Sequence, residues 1–265
     1  MKKIPVLMYH EIAEKKAIPD LSRIIQEKYI VEKDVFESQL RCLRDKGIKS
    51  LTASKIFDID EDSDERYVCI TFDDGYSGNY QFAFRLLKKY GFRATFFVVS
   101  NWIGRKSMMT WEQIREMQES GMEIGSHTQN HVLLNACDIE VIRVELEGSR
   151  SDICACLGRA PLSLSFPSGG YDHRVEKMAY KAGYRFLFSS KFGYWNLGVG
   201  ESLIKRISAP NDLVQFVRII DIDFKFEVIG VIKDAMKKIA RILLGPRLYN
   251  KMYFKFFNLE FPVEQ

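Results

Sequence analysis

Tyr67-Val-Cys-Ile-Thr-Phe72-Asp73-Asp74-Gly75 is the stretch on which the fold turns. Its first six residues have the apolar, β-branched and aromatic content of a buried strand, which stops at two adjacent carboxylates and a glycine. Helical spacing follows in Phe82, Phe84, Leu86 and Leu87, with Gly91 as a stop, and Ala94–Val99 is a second continuous apolar run. Strands buried on both faces and linked by helices point to parallel β/α winding.

The same alternation extends in both directions. Upstream, Ile4–Tyr9 reads as a strand, and Phe36, Leu40 and Leu43 mark a helix that ends at Gly47. Downstream, Thr110 is placed to N-cap a helix Trp111–Glu119, and Met122–Gly125, Leu162–Phe166, Tyr184–Phe188 and Leu203–Ile207 read as strands. Helical periods fall at Asp138–Leu157, Asp172–Lys181 and Asp212–Ile220. Roughly seven units in about 220 residues fit a closed barrel better than an open sheet. No GxGxxG follows a strand and no GxxxxGK[ST] occurs, which removes the main support for a nucleotide-binding doubly wound fold.

With 46% hydrophobic and 28% charged residues, the 265-residue chain has the composition of an ordinary globular protein. No apolar run approaches the roughly 18–20 residues that span a bilayer. The opening MKKIPVLMYHEI holds only a five-residue apolar run, short of the about 7–15 of a signal peptide, so a cytoplasmic location is expected. Five cysteines (Cys42, Cys69, Cys137, Cys154, Cys156), an odd count without a zinc-knuckle spacing, read as buried thiols. Residues 225–265 hold eight Lys/Arg against four acids, which accounts for the whole net charge of +4. The rest is neutral and gives no electrostatic reason to expect nucleic acid. The organisation expected is a single barrel domain over 1–222 with a basic amphipathic extension over 223–265.

Chemistry-bearing residues gather where strands end, which in a parallel β/α barrel is where active sites are built. Asp73 and Asp74 repel each other, and burying both requires a neutralising cation. Ser126-His127-Thr128-Gln129-Asn130-His131 follows another strand, and its two histidines, four apart, meet on one side of a helical turn and can share a metal. Two imidazoles and a carboxylate make an open divalent-metal site. Ser165-Phe166-Pro167-Ser168-Gly169-Gly170-Tyr171 is either a loop whose N–H groups face a ligand or an ordinary strand-to-helix turn. His10, in Tyr9-His10-Glu11, lies where the first strand ends.

The ordered set TFDDG, SHTQNH and FPSGGY resembles the polysaccharide deacetylases of carbohydrate esterase family 4, over roughly residues 4–210. The opening VLMYHEI is similar to the circularly permuted branch that includes the poly-N-acetylglucosamine deacetylases. The resemblance implies a deformed (β/α)7 barrel. It also implies one divalent metal, zinc first, with cobalt, nickel or iron as alternatives, held by Asp74, His127 and His131. Asp73 matches the general base and His10 the general acid. Pro167, Gly169, Gly170 and Tyr171 match a substrate-side loop. By residue type Trp102, Trp111 and Trp195 are candidates to stack on a sugar; Trp111 sits at a helix start, where packing is expected, and Trp195, in GYWNLG, is preferred. The activity implied is removal of an N-acetyl group from an acetamido sugar, releasing acetate. Relatives that cleave O-acetyl esters or other C–N bonds, and a silent carbohydrate-binding barrel, are the alternatives. Many family members carry an arginine at the position of Ser165, where it orients the aspartate base, so the partner of Asp73 is open. No Leu-x-His occurs late in the chain, where Ile204-Lys205-Arg206-Ile207 stands instead.

In the extension, Val228, Ile229, Ile232, Ala235, Met236, Ile239, Ile242 and Leu243 recur at helical spacing among lysines. After Gly245-Pro246, residues 248–257 hold a second apolar face. Two readings stand: helices packed on the barrel, or peripheral contact with a membrane through 228–257.

Overall fold

A computed structural model describes residues 2–21, 25–60, 62–199, 203–236 and 239. Seven parallel strands close a barrel: β1 Val6–Tyr9, β2 Tyr67–Phe72, β3 Thr95–Val98, β4 Glu123–Ser126, β5 Ser163–Ser165, β6 Phe186–Phe192 and β7 Leu203–Ser208. Sequential neighbours pair from β2 to β7, and the ring is shut by β1, which pairs with β7 (Ile207 with Leu7) and with β2 (Val6 to Tyr9 with Cys69 to Phe72). A short strand, Lys49–Leu51, pairs with the first half of β2 on the edge that β3 takes over at Thr71.

The helices lie outside the ring: α1 Lys33–Asp45, α2 Arg85–Tyr90, α3 Trp111–Glu119, α4 Ile139–Leu157, α5 His173–Lys181 and α6 Leu213–Ile220. Their starts are written in local chemistry. Thr110 and Gln113 form a reciprocal capping box on α3, and the carboxylates of Asp172 and Asp212 each accept two N–H groups at the starts of α5 and α6. The segment leading into α2 is a wide π turn over Asn79–Phe84 rather than α-helix.

Strand alternation divides the core into two zones. Val68, Ile70 and Phe72 of β2, Phe96 and Val98 of β3, and Leu7 and Tyr9 of β1 face outward and pack with Phe36, Leu40, Leu87, Ile114 and Phe216 of the helices. The opposite parity faces inward. Near the strand starts that interior is apolar, with Val6, Cys69, Phe97, Phe188 and Ile204 sealed by Trp195 and Ile56. Near the strand ends it turns polar, with Thr71, Asp73, Ser165 and Arg206 all buried. The five cysteines are free thiols, but only Cys69 is buried; the others are half-buried on or beside helices.

After α6 the chain turns at 221–223 and re-enters helix over 224–236. Ile242, Leu243 and the second apolar segment at 248–257 lie outside the described residues.

The turn after β2 presses against the segment after β1. A methyl group on Gly78 would lie 2.0 Å from Ile12 O and 2.0 Å from Glu11 Oε1. The Gly78→Ala variant is expected to lose about 1–3 kcal/mol of stability through overpacking against backbone, measured by urea unfolding. An unchanged midpoint would mean that the two segments are not in fixed contact.

Candidate active site

Asp73 continues β2 by one residue, its N–H donating to Tyr9 O at 2.9 Å. Its side chain follows the inward parity of Cys69 and Thr71 and meets Arg206, which shares inward parity with Ile204 on β7. Every N–H of that guanidinium has an acceptor. Nε donates to Ser189 O (2.9 Å), Nη1 to Asp73 Oδ1 (2.8 Å) and Thr71 Oγ1 (3.2 Å), and Nη2 to Asp73 Oδ2 (2.7 Å) and Ser165 Oγ (2.7 Å). Arg206 is 1% exposed and Asp73 2%. Burial alone would raise the Asp73 carboxyl, but Arg206 overrides it, with His127 and His10 adding, and holds Asp73 far below the usual carboxylate range. The arginine missing beside the Pro–Gly loop is therefore replaced from another strand. Ser165 is small enough to admit it and bonds both members of the pair, its Oγ also donating to Asp73 Oδ2 at 3.2 Å.

Asp74 has φ +75°, a left-handed conformation that aspartate tolerates. The kink aims the second carboxylate at the histidines: Oδ1 lies 3.4 Å from His127 Nε2 and 3.4 Å from His131 Nε2. These contacts are not ion pairs. Burial pushes His127 down to about 3 and lowers His131, so both imidazoles are neutral near pH 7. The hydrogen bond between His127 Nδ1 and Ser165 O (2.8 Å) needs the proton on Nδ1, which leaves the Nε2 lone pair facing Asp74. Asp74 itself is pushed up to about 8 by burial and then by Asp73, against the pull of the Tyr76 hydroxyl.

Asp74 Oδ1 is buried with no hydrogen-bond partner, and it forms with the two imidazole nitrogens a set of donors within 4.8 Å of one another. A buried carboxylate oxygen is rarely left without a partner. Neutral imidazoles are the form that ligates metals, and a cation would return Asp74 to its charged state. Asp74, His127 and His131 therefore fit a divalent cation and leave coordination positions open.

The loop carrying the histidines is not the helical turn expected from their spacing. Thr128 and His131 both have positive φ (65° and 62°), and the loop is shaped by Glu145 of α4, a buried carboxylate. Glu145 accepts from Gln129 N (3.0 Å), Asn130 N (2.8 Å) and Asn130 Nδ2 (2.7 Å). The left-handed backbone, not helical geometry, brings the two rings to 5.0 Å.

His10 stands at the end of β1, stacked on Tyr29 at 4.3 Å. Burial lowers it to about 4, opposed mainly by the neighbouring Asp73 charge. The Pro–Gly loop follows β5 directly, beside Ser165 and His127. Its glycines answer to packing: a methyl on Gly169 would fall 2.1 Å from Ser190 Oγ, and one on Gly170 2.3 Å from Leu133. The Gly170 N–H donates to Pro167 O, whereas the Tyr171 N–H makes no hydrogen bond among the described residues. Pro167 is buried, and the Tyr171 ring stacks on Phe166 at 5.3 Å. Trp195 does not join the site. It is 4% exposed, pairs with Ile4 and seals the opposite end of the barrel. Trp102 is the tryptophan at the site, 5.2 Å from the His131 ring.

Comparison with known proteins matches this arrangement. The polysaccharide deacetylase family model matches residues 60–187. YxkH of Bacillus subtilis (strain 168), a protein named for that family, is 34% identical over 208 residues, covering 77% of this chain and 71% of its own. The poly-β-1,6-N-acetyl-D-glucosamine N-deacetylase of Staphylococcus epidermidis is 31% identical over 137 residues, 47% of each chain. Among solved structures, the Streptococcus pyogenes deacetylase PplD, determined with acetate, superposes with a TM-score of 0.72 at 27% identity, over 81% of this chain and 98% of that one. The chain belongs to the polysaccharide deacetylase family, whose members are hydrolases built on a (β/α)7 barrel.

Arg206→Met would leave Asp73 buried without its counter-charge, a loss of about 3–5 kcal/mol at neutral pH. The wild-type carboxyl titrates low, so its contribution is present above about pH 4 and disappears as pH falls. In the variant the carboxyl titrates high and is relieved by protonation. Urea unfolding in chelator should therefore show the gap between the two proteins narrowing from pH 7 towards pH 4. A constant gap would mean that Asp73 is not the group Arg206 supports.

Proposed function

We propose that the protein is a divalent-metal-dependent deacetylase that hydrolyses the N-acetyl group of an acetamido sugar in a glycan, leaving a free amine and acetate. The observation that carries this reading is the orphaned Asp74 Oδ1 facing two neutral imidazoles, beside a second carboxylate whose charge is already matched. The likeness to a poly-β-1,6-N-acetyl-D-glucosamine N-deacetylase supports an N-acetyl substrate over an ester.

Bound by Asp74, His127 and His131, a divalent cation such as zinc supplies Lewis acidity that polarises the acetyl carbonyl and acidifies a water. The chain's own residues do the rest. Asp73, kept ionised and oriented by Arg206 and Ser165, accepts the proton of the attacking water. The Tyr171 N–H, at the end of the Pro–Gly loop, is the backbone donor available to the developing oxyanion. His10 is neutral at rest, so the proton it hands to the departing amine is acquired during the reaction. The water's proton, passed on from Asp73, balances that step: one C–O bond forms, one C–N bond breaks, and the nitrogen leaves as an amine.

Metal content and acetate release from β-1,6-linked N-acetylglucosamine oligomers test this together. Wild type is expected to hold about one transition metal per chain, and Asp74→Ala and His127→Ala to hold none. Asp73→Asn should keep the metal yet lose about 10²–10⁴-fold in turnover. A folded wild-type protein that takes up no metal when supplied with it would overturn the proposal.

A further inference from the structure

The helix at 224–236 is turned inside out with respect to the barrel. The residues it sets towards the body are Phe226, Gly230 and Asp234, at the i, i+4, i+8 spacing of one face, and Glu227 beside them. Glu227 pairs with Lys3 at 2.7 Å, Phe226 meets Phe192 at a ring distance of 5.9 Å, and Gly230 lets the Phe192 ring approach its backbone. Two of these four are carboxylates and one has no side chain. The opposite face carries the apolar load: Phe224 is 75% exposed, Ile232 53% and Met236 64%, with Val228 and Ile229 also exposed. A soluble surface helix has the reverse arrangement, and a contiguous exposed apolar face of this kind marks a surface that is covered in use.

Charge identifies the cover. Lys225 lies on the apolar face and Lys233 at its margin, both exposed. Within 225–265 the bases outnumber the acids by eight to four; of those acids, Glu227 is neutralised by Lys3 and Asp234 lies on the inner face. What the helix presents outward is therefore apolar and cationic. Among the described residues no helix is long and apolar enough to cross a membrane. We propose that the exposed face of the 224–236 helix docks in the plane of a lipid bilayer carrying anionic headgroups, with the isoleucines among the acyl chains and the lysines at the phosphates.

Co-sedimentation of the full-length protein with vesicles of phosphatidylglycerol and phosphatidylcholine, against phosphatidylcholine alone, tests this. Wild type should partition onto the anionic vesicles and be released by salt. The double variant Ile229→Asp/Ile232→Asp should lose at least about tenfold in partitioning. Lys225→Gln and Lys233→Gln should each lose about fivefold. Melting temperature and acetate release in the absence of vesicles should stay unchanged, which separates loss of docking from loss of fold. Equal partitioning of wild type and double variant would overturn the proposal. So would a wild type that stays off anionic vesicles, whether as a dimer that the double variant dissolves, with a second copy as the cover, or as a monomer, with residues 240–265 as the cover.

Discussion

The Arg206 guanidinium ties β7 to three other strands at once: to β2 and its end through Thr71 and Asp73, to β5 through Ser165 and to β6 through Ser189. A buried ion pair is by itself weak evidence of stability, because two ions must be taken out of water. Here the cost is limited by complete satisfaction of the guanidinium, five N–H groups on five acceptor contacts, with the Phe97 ring beneath it at 5.7 Å. The constraint this imposes is geometric. Arg206 can reach all its acceptors only when β7 has closed against β1 and β6 in one register, so the polar layer at the barrel mouth specifies how the ring shuts.

The same pair explains how two adjacent carboxylates come to differ in charge. Asp73 and Asp74 are adjacent at one strand end and both are buried, yet their protons are held in opposite ways. One is matched by an arginine and stays charged. The other is desolvated, faces its neighbour's charge and carries an oxygen with no partner. The left-handed turn at Asp74 is the device that separates them, and the left-handed Thr128 and His131 bring the imidazoles to meet it. Such strained backbone is retained where surrounding contacts over-determine it; Glu145 and Ser165 provide those contacts on the histidine side.

Much of this was legible in the chain. Seven apolar runs spaced by helical periods translate directly into strands and helices, because burial on both faces writes a continuous pattern. Asp73, Asp74, His127, His131 and His10 were visible because each follows such a run. Arg206 was harder: the late segment was read for an absent histidine, although an arginine in register with Ile204 on a strand is itself a sign of a charge aimed inward. Glu145 gave no local signal, since its partners, two backbone N–H groups and the Asn130 amide, lie sixteen and fifteen residues away. The helical turn between His127 and His131 failed because i, i+4 spacing describes a helix only where the backbone is helical. Trp195 misled for the opposite reason: an aromatic among glycines looks like an exposed platform, but the short strand that carries it pairs with Ile4 and holds the indole under the barrel.

Barrel closure also decides when the polar layer can form. His10 comes from the first strand and Arg206 from the last, and those strands are neighbours only in the finished ring. A chain still emerging from the ribosome, with β1 to β6 already made, holds both carboxylates and both imidazoles but lacks the guanidinium that pairs with Asp73. Synthesis thus delivers the counter-charge last. The buried polar layer at the barrel mouth is therefore completed in one step, with the seventh strand at Leu203–Ser208.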